Sequence, residues 1–384
     1  MRRVRDMKIL HLGDLHLGKR VNEISMIEDQ KFILDQIVTL VKEEKIDVIL
    51  LCGDIYDKAI PTIEAIHLLD EFLEELSDLK VKVLMISGNH DSSERLSFGR
   101  NLFKRSNLYI ASQFNQEIEK ITIKEDGYNI NFYMLPFVKP AYINHVLKIQ
   151  TETYEECFKH LMEQVKINEE TNILLAHQFV TVGKNSPELS DSETSSLGGI
   201  DNIDYRLFDA FDYVALGHIH KPQAMGREMV RYAGSILKYS FSEIHKDKQA
   251  TILTISKNKQ ISLSHHLLKP LRDMREMECS LESLLKRKCE IGNEEDYMHV
   301  ILTDEEQILD AIGKVRTVYP NVMQISFKNR RHMMQYETIQ MKENQIADQN
   351  PMELFEQFYK MQNHIDLDEK RAQMAISIFG EVIR

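Results

Sequence analysis

The stretch FDYVALGHIH, Phe211 to His220, carries an apolar run into a glycine and then sets two histidines one residue apart. A short apolar run bounded by Asp212 and Gly217 reads as a buried strand of an α/β protein. On extended backbone, residues i and i+2 point to the same side, about 6 to 7 Å apart, so His218 and His220 can reach toward one shared cluster. An isolated His-x-His pair is more simply explained by one imidazole capping the strand end while the other meets solvent. Imidazole nitrogen is also the commonest metal ligand, so the decision falls to the rest of the chain.

Working outward, the runs MKILHLG, DVILLCG, VKVLMISG, INFYMLP and TNILLAH resemble DYVALGH in length and apolar content. Longer amphipathic stretches separate them: Met26 to Glu44, with Ile27, Phe32, Ile33, Ile37 and Leu40, predicts one helix, and Thr62 to Leu76 another. Five runs finish on metal-capable side chains. They are GDLH (Asp14, His16), GDIYD (Asp54, Asp57), GNHD (Asn89, His90, Asp91), AHQF (His177) and GHIH (His218, His220). In open α/β sheets ligands gather outside the carboxyl ends of the strands, so these termini are expected to share one crevice. Glycine precedes four of the motifs and is expected to let the backbone turn sharply there.

Aspartate, imidazole and a side-chain amide oxygen suit Mn, Fe, Zn or Mg, and the lack of thiolates argues against a structural zinc. The donors outnumber the needs of one ion. Two ions about 3.5 to 4 Å apart can share a carboxylate, activate a water at neutral pH and stabilise both oxygens of a phosphoryl transfer.

With 384 residues, 43% hydrophobic and 28% charged, the chain has room for two or three globular domains. It contains no apolar run long enough to span a membrane, and MRRVRD leads straight into MKILHLGD rather than a signal peptide, so the cytoplasm is expected. Cys52, Cys157, Cys279 and Cys289 are scattered and signal neither a disulfide framework nor a zinc finger. A net charge of −12 argues against coating nucleic acid by long-range attraction but not against meeting it locally. Lys19 and Arg20, and Arg100, Lys104 and Arg105 at near-helical spacing, are candidate DNA contacts; each cluster is equally readable as a solvated face.

Composition also divides the chain. Residues 1–268 read as the α/β domain, with a polar surface loop at 183–199. Residues 269–339 alternate strand, helix, strand, helix, strand as a smaller α/β unit, and 340–384 form a polar linker followed by two amphipathic helices.

The order D-x-H, GD-x-x-D, GNHD, H, GH-x-H is similar to that of the calcineurin-like metallophosphoesterases. FDYVALGHIHKPQ, together with YAGSI at Gly234 and Ser235, resembles the SbcD branch of double-strand-break repair nucleases. The resemblance runs from Met7 to about residue 240 and implies a β-sandwich flanked by helices. It implies that Asp14, His16, Asp54 and His220 hold one ion, and that Asp54, Asn89, His177 and His218 hold a second, with Asp54 bridging. His90 resembles the family's catalytic histidine. The archaeal and eukaryotic members carry another histidine where Asp57 stands here. Asp91 is expected to orient His90 or to cap the following helix, and His11 to pack inside its strand.

The family also implies an Mn-dependent DNA exonuclease and endonuclease of repair and recombination. Residues 269–339 would be its capping domain, and a homodimer would sit in a heterotetramer with an SbcC-type coiled-coil ATPase. Two other functions compete. A small-molecule phosphodiesterase or phosphomonoesterase could use the same metals, although Lys58 stands where the protein phosphatases continue with Arg. A non-catalytic adaptor would keep only a relic site, against which stand the complete donor set and His90.

Overall fold

The computed structural model describes residues 6–125, 128–193, 201–289, 292–306 and 308–328, with scattered positions (355, 356, 359, 360, 367, 371, 372 and 375) in the tail. Two compact units divide the chain: Met1–Glu276 with Ile291–His299 and Tyr319–Gln324, and Met277–Glu290 with Val300–Val318 and Ile325–Arg384. Among the described residues no helix is long and apolar enough to cross a membrane.

Leaving aside ribbons of two residues, the first unit contains β1 (Met7–Leu12), β2 (Val48–Cys52), β3 (Lys82–Ile86), β4 (Leu108–Ala111), β5 (Glu119–Glu125) and β6 (Tyr128–Leu135). It continues with β7 (Thr171–His177), β8 (Tyr213–Gly217), β9 (Gln223–Met225), β10 (Arg227–Tyr232), β11 (Lys248–Ile255) and β12 (Ile261–Leu268). These form two six-stranded sheets, in the orders β12-β11-β1-β2-β3-β4 and β9-β10-β8-β7-β6-β5. Strands β1 to β4 are parallel neighbours, as are β6, β7, β8 and β10. Parallel pairing demands a crossover connection, and α1 (Ile27–Glu44) and α2 (Ile63–Asp78) provide it after β1 and β2.

The unbroken apolar runs follow from burial of both strand faces. In β2, Ile49 and Leu51 pack with Ile33 and Ile37 of α1 and with Leu69 and Phe72 of α2. Val48, Leu50 and Cys52 turn the other way, into a layer shared with Phe132, Ile173 and Tyr213 of the second sheet. The second sheet repeats the pattern: Leu174 and Val214 meet Ile143 and Phe158 of the helices Pro140–Leu147 and Tyr154–Glu163. The result is helix, sheet, sheet, helix, the β-sandwich flanked by helices that the resemblance implies. Phe32, one of the apolar residues that predict α1, is 38% exposed, because the buried stripe of the helix runs through Ile33, Leu34, Ile37 and Val41 and leaves Phe32 beside it. The buried Asp29 on the same helix accepts hydrogen bonds from Tyr297 Oη at 2.6 Å and Arg272 Nη1 at 2.8 Å.

β13 (Met274–Cys279), β14 (Tyr297–Leu302) and β15 (Val322–Phe327) make a separate three-stranded sheet in that order. With the short helices Leu281–Leu285 and Ala311–Arg316 they reproduce the strand-helix alternation read from the sequence. The helices expected from Asn350 onward lie outside the described residues save for isolated positions, and so does the loop segment 194–200.

Candidate metal centre

Strand parity delivers the first donors. In β2 the residues facing the inter-sheet layer are Val48, Leu50 and Cys52, so the next of that parity is Asp54; in β7, Ile173 and Leu175 are followed by His177. Asp14 and Asn89 lie just past β1 and β3, and His218 follows β8. Three of these strands belong to one sheet and two to the other. The donors therefore gather on the common rim of a sandwich, not in the crevice of one open sheet as the strand ends alone suggest.

The turns at this rim are made by the donors themselves. Asp14, His16, Asp54 and His218 have φ of 52°, 46°, 48° and 102°, the left-handed region that non-glycine residues rarely occupy. Of the four preceding glycines, Gly53 alone has positive φ, at 82°. Close approach explains two of the others. A Cβ on Gly88 would lie 2.1 Å from Asp54 Oδ1, and one on Gly217 would lie 1.8 Å from the Cys52 carbonyl oxygen.

Two groups result. Asp14, His16 and His220 bring ligand atoms within 4.8 Å of one another, with His16 Nε2 and His220 Nε2 3.0 Å apart. In the other group, Asn89 Oδ1 is 3.0 Å from both His177 Nε2 and His218 Nδ1. Asp54 reaches both: its Oδ2 is 3.7 Å from His16 Nε2 and 3.3 Å from His177 Nε2, while its Oδ1 accepts the His90 backbone N–H at 2.9 Å. Asp14 accepts the His218 N–H at 2.8 Å and also lies within ligand reach of Asp54 and His177. His177 Nδ1 donates to the Cys52 carbonyl at 2.8 Å, which aims Nε2 into the site.

The electrostatics call for positive charge at the site: against the effect of burial, Asp54 and Asp14 lift the His177 imidazole to about 9, a proton standing where a cation would serve. Burial pushes the His218 imidazole down to about 3 and His220 well below its usual range, so both are neutral, the form that ligates metal. Burial, opposed by the charge of His177 and reinforced by that of Asp54, lifts the Asp14 carboxyl. Burial acts against the charge of Asp54 too, but His177 and His16 hold its carboxyl far down. Burial lowers the His16 imidazole as well, so His16 and His220, whose Nε2 atoms face one another at 3.0 Å beside the buried Asp14 and Asp54, form a donor set that a divalent ion satisfies.

His90 is half-buried at the open side, with Nδ1 2.8 Å from the Asp57 carbonyl. Asp57 accepts from Lys19 Nζ at 2.8 Å and stands 3.5 Å from His16 Nδ1; burial opposes its charge, but these partners bring its carboxyl down to about 2. Asp91 neither orients His90 nor caps the next helix, whose cap is Ser92. Its carboxylate instead accepts the N–H groups of Ile55, Tyr56 and Gly88, pinning the GDIYD and GNHD turns together. His11 is buried within β1, with Nδ1 2.9 Å from Tyr213 Oη. Arg100 and Lys104 share Glu119, at 3.8 and 3.0 Å, and Arg20 reaches the Glu23 carbonyl. A cavity of about 490 Å³ opens beside Asn89 and His218, walled by Phe137, Phe179, Lys139 and Tyr154.

Sequence reasoning missed the support behind His220, formed by Ser192, Glu243 and Lys248. The polar loop at 183–199 pointed to the first of these; nothing in the spacing of the other two marks them.

The model of the calcineurin-like phosphoesterase family matches residues 7–222, and that of the type 5 capsule protein repressor C-terminal domain matches residues 270–363. The SbcD subunit of the nuclease SbcCD from Staphylococcus epidermidis is 35% identical over 360 residues, covering 92% of this chain and 93% of the relative. Among solved structures, a dimetal phosphatase from Danio rerio covers 69% of this chain and 100% of its own, with 11% identity and a TM-score of 0.39. A Thermus thermophilus protein matches with the same coverage and TM-score at 13% identity. On the sequence relationships the chain belongs to the calcineurin-like phosphoesterases and, among them, to the SbcD nuclease subunits, which makes it a phosphodiester hydrolase.

Proposed function

We propose that this hydrolase is a DNA nuclease that works with two divalent ions, Mn foremost, removing nucleotides from duplex ends and cutting single strands and hairpins. The observation that carries the reading is the pair of donor groups joined by Asp54, which lies within 3.7 Å of an imidazole in each. Asp14, His16, Asp54 and His220 would hold one ion, and Asp54, Asn89, His177 and His218 the other. Bound there, the ions would activate water and stabilise charge on a phosphodiester. His90, its Nδ1 anchored on the Asp57 carbonyl at 2.8 Å, is set to stabilise or protonate the leaving oxygen from the open side. The cavity walled by Phe137 and Phe179 favours a polynucleotide substrate, because aromatic faces accept unstacked bases and Lys139 offers a cation to the backbone.

The relative's name, which places it in the SbcCD nuclease, supports pairing with an SbcC-type coiled-coil ATPase in the processing of DNA breaks and hairpins in the cytoplasm. On this reading 1–268 is the nuclease domain, 269–339 the capping domain and 340–384 the linker and partner-binding helices. A homodimer inside a heterotetramer is supported by apolar side chains left on the surface: Ile60, Ile63, Phe98 and Leu102 are each at least 67% exposed. Lys19, Arg20, Arg100 and Lys104 remain the candidate DNA contacts, with Lys19 the best placed through Asp57.

Incubating the protein with linear duplex, hairpin and single-stranded DNA and with chromogenic phosphate mono- and diesters, under Mn, Mg or chelator, tests the proposal. DNA cleavage supported best by Mn and abolished by chelator is expected. Hydrolysis confined to the small esters would overturn the nuclease reading, and cleavage indifferent to chelator would overturn the metal reading.

A further inference from the structure

A buried polar chain stands behind His220. Glu243 and Lys248 form an ion pair with side chains only 2% and 5% exposed. Lys248 Nζ also donates to the His220 carbonyl at 2.8 Å and to Ser235 Oγ at 2.7 Å. Glu243 Oε1 accepts the Tyr239 N–H at 3.2 Å and lies 3.1 Å from Ser192 Oγ. Ser192 Oγ in turn lies 2.8 Å from His220 Nδ1 and 2.7 Å from Ser190 Oγ. The Glu193 carboxylate accepts the His220 N–H. Ring, amide and carbonyl of one histidine are therefore all held from behind.

Counting protons fixes the direction of each bond. A hydroxyl has one proton to donate, and a carboxylate paired with an ammonium can only accept. The Ser192 proton must go to Glu243, so Ser192 Oγ accepts from His220, whose Nδ1 carries the ring proton. Ser190 can donate to the remaining lone pair of Ser192. The ring's free lone pair then sits on Nε2, the atom 3.0 Å from His16 Nε2.

We propose that Ser192, oriented by the buried Glu243–Lys248 pair, is a positioning residue that fixes His220 as the Nδ1-protonated tautomer and so presents its Nε2 lone pair to a divalent ion. This role rests on the reading of the site as a metal centre. It also gives the polar loop a task, since its described part, 183–193, ends on the residues that brace the ligand. Outer partners of metal-bound histidines set the tautomer and typically account for 10–100-fold in affinity.

The full chain, labelled with ¹⁵N-histidine and stripped of metal, tests the tautomer by two-bond ¹H–¹⁵N correlation, with the His220 signals identified by their loss in His220→Gln. Mn²⁺ titration calorimetry on the same proteins reads the consequence. The wild type should show Nδ1–H. Ser192→Ala should show mixed tautomers and one of two Mn²⁺ sites weakened by about 10–100-fold, with unchanged melting, and Ser192→Thr should restore both. Glu243→Gln, which can donate as well as accept, should mix the tautomers even with the hydroxyl present. A Ser192→Ala protein that keeps the wild-type tautomer or the wild-type isotherm overturns the proposal. A wild type that binds no Mn²⁺ sinks the metal-centre reading and this role with it. Mn²⁺ binding by a wild type whose metal-free ring is protonated on Nε2 sinks this inference alone.

Discussion

Asp54 divides its two oxygens: Oδ1 takes the His90 N–H, and Oδ2 faces imidazoles of both groups. Two divalent ions about 4 Å apart repel roughly four times as strongly as unit charges, so a shared anion is what lets both bind. On the proposed two-ion site, Asp54→Ala is expected to lower the metal content from two ions per chain to one or none and to abolish hydrolysis. Two ions at wild-type occupancy in that variant would refute the bridging role. His90 differs, because its ring is held by the Asp57 carbonyl and not by a carboxylate of the site. His90→Ala should keep metal and DNA affinity while lowering turnover by about 10²–10⁴; loss of metal would instead make His90 a ligand. The shared site is legible in the sequence because all seven candidate ligands lie within four residues of a strand end; which of the donors gathered there bind metal is carried by the family resemblance, since His90 lies equally near. The left-handed backbone at Asp14, His16, Asp54 and His218 is not legible, since side-chain type reports chemistry and not φ. The part played by Asp91 is hidden for a related reason: its partners are backbone N–H groups up to 36 residues away.

At the scale of elements, β1, β2, β3 and β8 announce themselves through apolar runs closed by glycine, and α1 and α2 through their period, whereas the parallel strands β4 and β10 are not among the runs read from the sequence. Periodicity cannot say which strands pair, because a run buried on both faces carries no mark of the sheet it joins. That is why the sequence suggests one crevice where two sheets share a rim. The two sheets come close together at Gly217, which ends β8 against the last carbonyl of β2. A methyl group there would overlap the Cys52 oxygen at 1.8 Å, and backbone on both sides leaves little to yield. Gly217→Ala should therefore cost about 1–3 kcal/mol or more, as overpacking does, and should also displace His218. A lowered melting temperature together with reduced occupancy of one ion is expected. A variant that melts and binds metal like the wild type would show that the strand ends can part without consequence.

For the whole molecule, on the proposed function, an acidic chain of net charge −12 that cleaves DNA needs a cationic surface from elsewhere, since binding to a polyanion is driven mainly by neutralised phosphates. The tail is the segment best suited to recruit it. Asn350 can cap a helix, Pro351 suits its first position and Glu353 stands three residues after the cap, a strong start signal. Leu354, Phe355, Phe358, Tyr359 and Met361 follow, and a second segment carries Leu367, Met374, Ile376, Ile378, Phe379, Val382 and Ile383. Two helices predicted there from the sequence, with such broad apolar stripes beyond a polar linker, would need a groove to cover them. On the proposed function, the coiled-coil base of the ATPase partner is that groove and brings the DNA-binding surface with it. Deleting residues 345–384 should leave metal-dependent cleavage of simple substrates intact, because every donor lies before residue 221. The same deletion should eliminate co-purification with the ATPase and any stimulation by ATP. A stable complex after the deletion would refute docking through the tail and move the partner surface to residues 269–339.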